Sequence, residues 1–171
     1  KVVQTWIDGE LVAEKGRSLI DGKKSGIINQ FNCMEQDFTA FSYKYTGEKE
    51  IFVIEALQGQ LITNKVITAP NVINGKMVSN TDQDILKMVV VKRYKIAPVA
   101  KAFVKNFGLK QGAIASTVAH DSHNIIAVGV DDESLCRAVN LVIKENGGIS
   151  SVCNEGEMIL PLPVAGLMSN E

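Results

Sequence analysis

Two short apolar runs, Gly112-Ala113-Ile114-Ala115-Ser116-Thr117-Val118 and Ile125-Ile126-Ala127-Val128-Gly129-Val130, close on a polar stretch, His120-Asp121-Ser122-His123-Asn124. No other feature constrains the chain as much. Runs rich in β-branched residues and bounded by polar ones read as strands, so the polar residues form the loop between them. In a tight turn, residues three apart come within about 7 Å, and these side chains then share one small volume. Both histidines of the protein lie in this connection.

The rest of the chain supplies a layered frame. At 171 residues and 46% hydrophobic composition it suits one domain with a sizeable core, or one domain with a small appendage. Residues 1 to 20 read as a β-hairpin: Val2, Val3, Trp6 and Ile7 are strand formers, Asp8-Gly9 turns, Leu11-Val12-Ala13 returns, and Gly16 ends the unit. Asp21-Gly22-Lys23-Lys24-Ser25-Gly26 is the best boundary, a solvated linker. Strands are expected at Phe38 to Tyr45, Ile51 to Leu57 and Leu61 to Thr68, with a tight turn at Asn74-Gly75. Ile85 to Val91 reads as a buried central strand.

Pro98 suits a first helical turn, and Val99, Ala102 and Phe103 recur at helical spacing, so a helix is expected up to Asn106 to Gly108. The cleanest helix follows the second apolar run. Asp131 or Asp132 caps it, and Leu135, Ala138, Val139, Val142 and Ile143 form one apolar stripe before Gly147-Gly148. Strands return at Ile149 to Val152 and Met158 to Leu160, and Val164 to Met168 makes a short terminal turn or helix. The expected class is α+β, or mixed α/β: a layered β-sheet with a few helices.

Composition excludes several functions. Eighteen Lys and Arg against nineteen Asp and Glu leave a net charge of -1, so no basic excess points to nucleic acid or an anionic membrane. The longest apolar run, Met88 to Val91, is too short for a bilayer, and no signal segment is visible. A soluble, cytoplasmic chain is expected. Cys33, Cys136 and Cys153 are odd in number and widely spaced, which fits a reducing compartment; Cys136 is expected to pack on its helix. There is no Cys-x-x-Cys pair, no glycine-rich phosphate motif and no Gly-x-Ser-x-Gly elbow.

The remaining polar groups each admit a bland and a chemical reading. Asp82 and Asp84 read as a capped turn in solvent or as a carboxylate pair. Asp131, Asp132 and Glu133 cap the helix, which leaves no need for a metal. Lys92-Arg93-Tyr94-Lys95, at the end of the central strand, is either a solvated strand end or a clamp for an anion or carboxylate. The histidine loop is the densest cluster. Imidazole exchanges protons near neutrality, aspartate orients the ring, and serine and asparagine can read the edge of a heterocycle. His-x-x-His lacks a third and fourth metal ligand, so no metal is assigned to this chain.

Phe107-Gly108-Leu109-Lys110, then Gly112 to Ser116 running into Val118 to Ile126, resembles the C-terminal region of bacterial and archaeal adenine deaminases. Leu160-Pro161-Leu162-Pro163-Val164-Ala165-Gly166-Leu167-Met168 is similar to the closing motif of the same family. The resemblance is strong from about Ile85 onward. It departs at Lys92-Arg93-Tyr94, where the family usually has Glu-Arg, and at Asn106, where glycine is common.

The resemblance implies a metal-dependent amidohydrolase that converts adenine to hypoxanthine and ammonia, with a two-metal centre of manganese or iron in a (β/α)₈ barrel. The family's His-x-His metal motif is absent here, so the resemblance implies the C-terminal part of such an enzyme, expected to be inactive alone, or else a stand-alone relative of it. Residues 1–26 then correspond to the returning hairpin of the amidohydrolase β-sandwich plus linker, and 27–171 to the C-terminal domain. It implies catalytic roles for His120, Asp121 and His123, substrate contacts for Ser122, Asn124 and Arg93, and a barrel domain, adenine and a homo-oligomer as partners. The alternative is a non-catalytic packing, oligomerisation or purine-binding domain.

Overall fold

The computed structural model describes residues 1–21 and 26–170; residues 22–25 of the expected linker, and 171, lie outside the described residues. In chain order the strands are β1 (Gln4–Ile7), β2 (Glu10–Glu14), β3 (Arg17–Ser18), β4 (Tyr43–Lys44), β5 (Ile51–Ala56), β6 (Thr63–Thr68), β7 (Val72–Ile73) and β8 (Lys76–Met77). There follow β9 (Ile85–Val91), β10 (Ala100–Lys105), β11 (Ala113–Ser116), β12 (Ile125–Gly129), β13 (Gly148–Cys153) and β14 (Gly156–Pro161). One α-helix, α1 (Asp132–Lys144), and one 3₁₀ turn, Phe38–Phe41, complete the described elements. The class is mixed α+β and mostly sheet, with fewer helices than the sequence suggests.

The main sheet has eight strands in the order β14-β13-β11-β12-β9-β10-β5-β6. Every neighbouring pair is antiparallel except β10 with β5. As expected, β9 is central and buried almost throughout. On one face α1 lays its apolar stripe of Leu135, Ala138, Val139 and Val142 against Val89, Val91, Ala113, Ala115, Ile125, Ala127 and Val152. Asp131 caps the helix by accepting from the Ser134 backbone N–H at 2.7 Å. Farther along the same sheet, Met77 and Tyr43 of the small sheet β4-β8-β7 pack with Val53, Ile85 and Phe103. The opposite face is thinner. Leu86, Val104 and Val128 are covered by Leu109 and Val130, while Ile114, Ile149 and Leu160 remain exposed.

Three local expectations are corrected. The helix expected from Pro98 is the strand β10: its register with β9 (Ala102 opposite Met88) and β5 (Phe103 opposite Val53) supplies backbone partners on both sides, which outweighs a weak helical spacing. The strand expected at Phe38 to Tyr45 opens instead as the 3₁₀ turn, because Asp37 accepts from the Thr39 N–H and hydroxyl. Gly16 does not end the first unit, since β3 pairs back on β2. Asp82 and Asp84 form the capped turn: Asn80 Oδ1 accepts from the Asp82 and Gln83 N–H groups, and Asp84 accepts from Gly108 N–H at 2.8 Å.

Candidate functional site

Antiparallel pairing gathers the polar loop and the basic cluster at one end of the main sheet. Ile125, first residue of β12, faces Val91, last residue of β9. Ser116, last residue of β11, faces Ile149 near the start of β13, and Gly148 faces Pro161 at the end of β14. The connections carrying Arg93, residues 117–124, the end of α1 and the closing motif therefore meet here. The segment after the linker also crosses this end, with Asn32 N–H donating to Arg93 O at 2.6 Å and Ala165 N–H to Ile28 O at 2.7 Å.

The histidine loop is a compact turn with two unlike halves. His123 N–H donates to Ala119 O at 2.7 Å, and Ser122 N–H to His120 O at 2.9 Å. Asp121 (φ 68°) and His123 (φ 46°) adopt the left-handed conformation, which Asp and His tolerate better than bulkier residues. In the outer half, His120 Nδ1 lies 2.9 Å from Asp121 Oδ1, and the two side chains are 94% and 89% exposed. Ser122 is exposed as well, and its Oγ receives the Asn124 N–H at 3.5 Å. The inner half turns inward: His123 Nδ1 and Asn124 Oδ1 are buried and have no hydrogen-bond partner among the described residues. The loop therefore presents an imidazole–carboxylate pair to solvent and draws the second imidazole and the amide toward the protein.

Arg93 is only 3% exposed. Its Nη2 donates to the Tyr94 hydroxyl at 2.8 Å and the guanidinium lies over that ring at 4.7 Å, whereas Nε and Nη1 have no partner among the described residues. The solvated strand end of the sequence reading is thus excluded for this residue. Gly166 lies against the guanidinium so closely that a Cβ there would sit 1.9 Å from Nη1. Thr117 packs beside the same glycine, donating its hydroxyl to Gly166 O at 2.6 Å and accepting Gly148 N–H at 2.8 Å. Asn29 ties the crossing segment to Asn146 O (2.6 Å) and Pro163 O (2.9 Å), leaving its buried Oδ1 without a partner. Asn29, Thr117 and Gly166 escape residue-by-residue reading. Their only signal is that Gly166 falls within the closing motif.

Among the described residues no three His, Cys, Asp or Glu side chains come together as a metal-binding group. The donors of this chain do not fit a two-metal centre, because both histidines lie in one turn and one of them is engaged by Asp121.

A layered sheet covered on one face by a single helix, with the polar loop at one end, defines an α+β domain. The profile of the adenine deaminase C-terminal domain matches residues 60–171, and the chain belongs to that family. Among curated relatives, an adenine deaminase of Borreliella burgdorferi is 44% identical over 170 residues, covering 99% of this chain and 31% of the relative. One from Methanosarcina acetivorans is 46% identical over 177 residues, with 98% and 32% covered. One from Salinibacter ruber is 43% identical over 171 residues, with 99% and 31% covered. The chain thus spans about a third of the length of these relatives.

Proposed function

We propose that this chain serves as the C-terminal part of a hydrolytic adenine deaminase and that its histidine loop faces the reacting purine, held in the rest of the polypeptide. The observation that carries the reading is the exposed His120–Asp121 pair, set beside the inward His123 and Asn124. A ring whose Nδ1–H is taken by a carboxylate keeps Nε2 free to exchange a proton with a bound molecule. His120 and Asp121 would act in proton transfer to the leaving amino group. His123 would steady the turn and offer a second proton site, while Ser122 and Asn124 would read the edge of the base. Arg93, expected as a substrate contact, is not needed for this reading, because a neutral purine leaves a sealed guanidinium uncompensated.

The manganese or iron centre implied by the family would be supplied by the remaining two-thirds of the enzyme, in its amidohydrolase barrel. Residues 1–26 would complete that enzyme's small β-sandwich. Supporting this, Val2, Val3, Trp6, Ile7, Leu19 and Ile20 are all more than half exposed on β1–β3 and its flanks, and such a small sheet has no core of its own. A cytoplasmic homo-oligomer is the assembly this reading favours. The packing-only alternative gains no support from the loop, since a turn that merely staples the fold has no use for a solvent-facing His–Asp pair. The test is a deaminase and metal assay on this chain beside the complete polypeptide. Adenine turnover is expected in the longer protein only, and failure of the complete protein to deaminate adenine would overturn the reading.

A further inference from the structure

The Arg93 guanidinium is a fixed positive charge, sealed from water, whose buried Nε and Nη1 have no hydrogen-bond partner among the described residues. Arginine does not escape burial by losing its proton, and an unpaired buried charge is strongly unfavourable. The chain shows how it treats a buried cation that it satisfies internally. Lys87, 2% exposed, meets Asp132 in the first turn of α1 and also donates to Phe41 O at 3.3 Å. Arg93 has no such arrangement. The ion pairs among the described residues are Lys87–Asp132, His120–Asp121 and Arg137–Glu157, and Arg93 has a share in none of them. Among the described residues its side-chain hydrogen bond goes to a neutral phenol. Cys33 feels its charge, but burial pushes that thiol up to about 11, so it stays protonated at neutral pH.

The surroundings are nonetheless built to hold the group in place. Glycine at 166 is required on two counts, its φ of +69° and the absence of room for a Cβ against Nη1. Thr117 locks the carbonyl of that glycine, and Tyr94 stacks on the guanidinium plane. A cation held in one orientation, with two guanidinium nitrogens unpaired, is a receptor for a compact oxyanion.

We propose that Arg93 is the receptor of an oxyanion of carboxylate or phosphate type, supplied from outside the described residues and bound at the closed end of the sheet beside Gly166. The oxyanion neutralises the guanidinium and engages Nε and Nη1, which no residue of the described chain reaches. Two sources share this chemistry. One is an Asp or Glu carboxylate from the remaining two-thirds of the enzyme, in which case Arg93 fastens the domain carrying the histidine loop onto the rest. The other is a small free anion. The inference is independent of the deaminase reading, because it concerns charge compensation and not turnover.

The test uses formate and inorganic phosphate as probes, at constant chloride, on this chain and on the complete enzyme. Thermal unfolding and the Nε–H resonance of Arg93 are followed together. In the isolated chain the site lacks any carboxylate from the rest of the enzyme. A saturable rise in Tm is therefore expected with at least one probe, the folding constant increasing about a hundredfold at about a hundred times Kd, together with a saturable shift of the Nε–H resonance. Both responses should vanish in Arg93→Met. Arg93→Lys, which keeps the charge but loses the planar fork, should bind at least tenfold more weakly. If both variants fail to fold, the resonance titration of the unmodified chain decides alone. A complete enzyme indifferent to both probes assigns the site to a protein carboxylate, and one that responds as the chain does assigns it to a free anion. No saturable response of the unmodified chain to either probe, or the same response in Arg93→Met, overturns the proposal.

Discussion

Lys87 Nζ meets Asp132 Oδ1 beneath the first turn of α1, joining the central strand to the helix that covers it. The lysine is sealed, with a side-chain exposure of 2%, and the aspartate is at 18%. Asp132 also lies in the first turn of the helix, where a negative charge is stabilised by the positive end of the helix dipole. Asp132→Asn should therefore cost about 3–5 kcal/mol, since it strands a buried ammonium. The pair Lys87→Met and Asp132→Leu should cost less than the sum of the single changes, because no charge then stays buried. Urea unfolding of the four proteins measures this coupling directly.

The outer half of the histidine loop separates catalysis from folding. His120 and Asp121 are almost wholly exposed, so His120→Ala should leave Tm nearly unchanged. In the complete enzyme it should lower kcat by about 10²- to 10⁴-fold if the ring transfers a proton. Asp121→Asn, which keeps the turn but removes the charge behind the ring, should cost less. Steady-state kinetics on adenine decide the matter, and unchanged kcat and KM for His120→Ala would remove the loop from the chemistry.

Cys33 should be a slow nucleophile. Burial is the main cause of its raised pKa of about 11, opposed by a backbone hydrogen bond and by the Arg93 charge, in that order. Only the thiolate reacts, so alkylation by iodoacetamide near pH 8 should run well below the rate of a free thiol. Arg93→Met should slow it further by removing a charge that favours the thiolate. The stability contribution has a definite sign. A thiol whose pKa is raised on folding favours the folded state fully below the ordinary value of 9.0 and loses that contribution as pH climbs toward about 11.

Asp37 provides the opposite sign. The Thr39 hydroxyl, then the Thr39 N–H, hold its carboxyl below the usual range. The associated stability is present above the ordinary carboxylate value and fades as pH falls through the lowered one. Thr39→Val deletes the hydroxyl and should move the Asp37 carboxyl back toward its ordinary pKa, as read from its carbon chemical shift against pH.

Two glycines with left-handed backbones should respond unequally to alanine. Gly9→Ala meets nothing within 4 Å and bears only the backbone penalty, about 1–2 kcal/mol. Gly166→Ala adds a collision with Arg93 Nη1 and should cost about 1–3 kcal/mol more. Thermal unfolding ranks them, and equal losses would mean that the guanidinium moves aside freely.

Features set by neighbours along the chain could be read without coordinates. The Asp8-Gly9 and Asn74-Gly75 turns, the cap and stripe of α1, and the strands on either side of the histidine loop all depend on residues a few positions apart, and the loop itself announced its density of polar groups. What depends on distant partners was illegible. Val99, Ala102 and Phe103 carry a helical spacing, yet β9 and β5 on either side make the segment a strand. Arg93 looked like a residue at a solvated strand end or an anion clamp. The return of the closing motif presses Gly166 against its side chain, and the residue ends 3% exposed. The division of the loop into an outward His120 and an inward His123 was equally hidden, because the direction of a side chain in a turn follows from the backbone conformations the surrounding sheet end imposes. Local sequence determined which segments could pair and which residues carry chemistry. The tertiary structure alone decided which of those charges face water, since burial is a property of what the rest of the chain places on top.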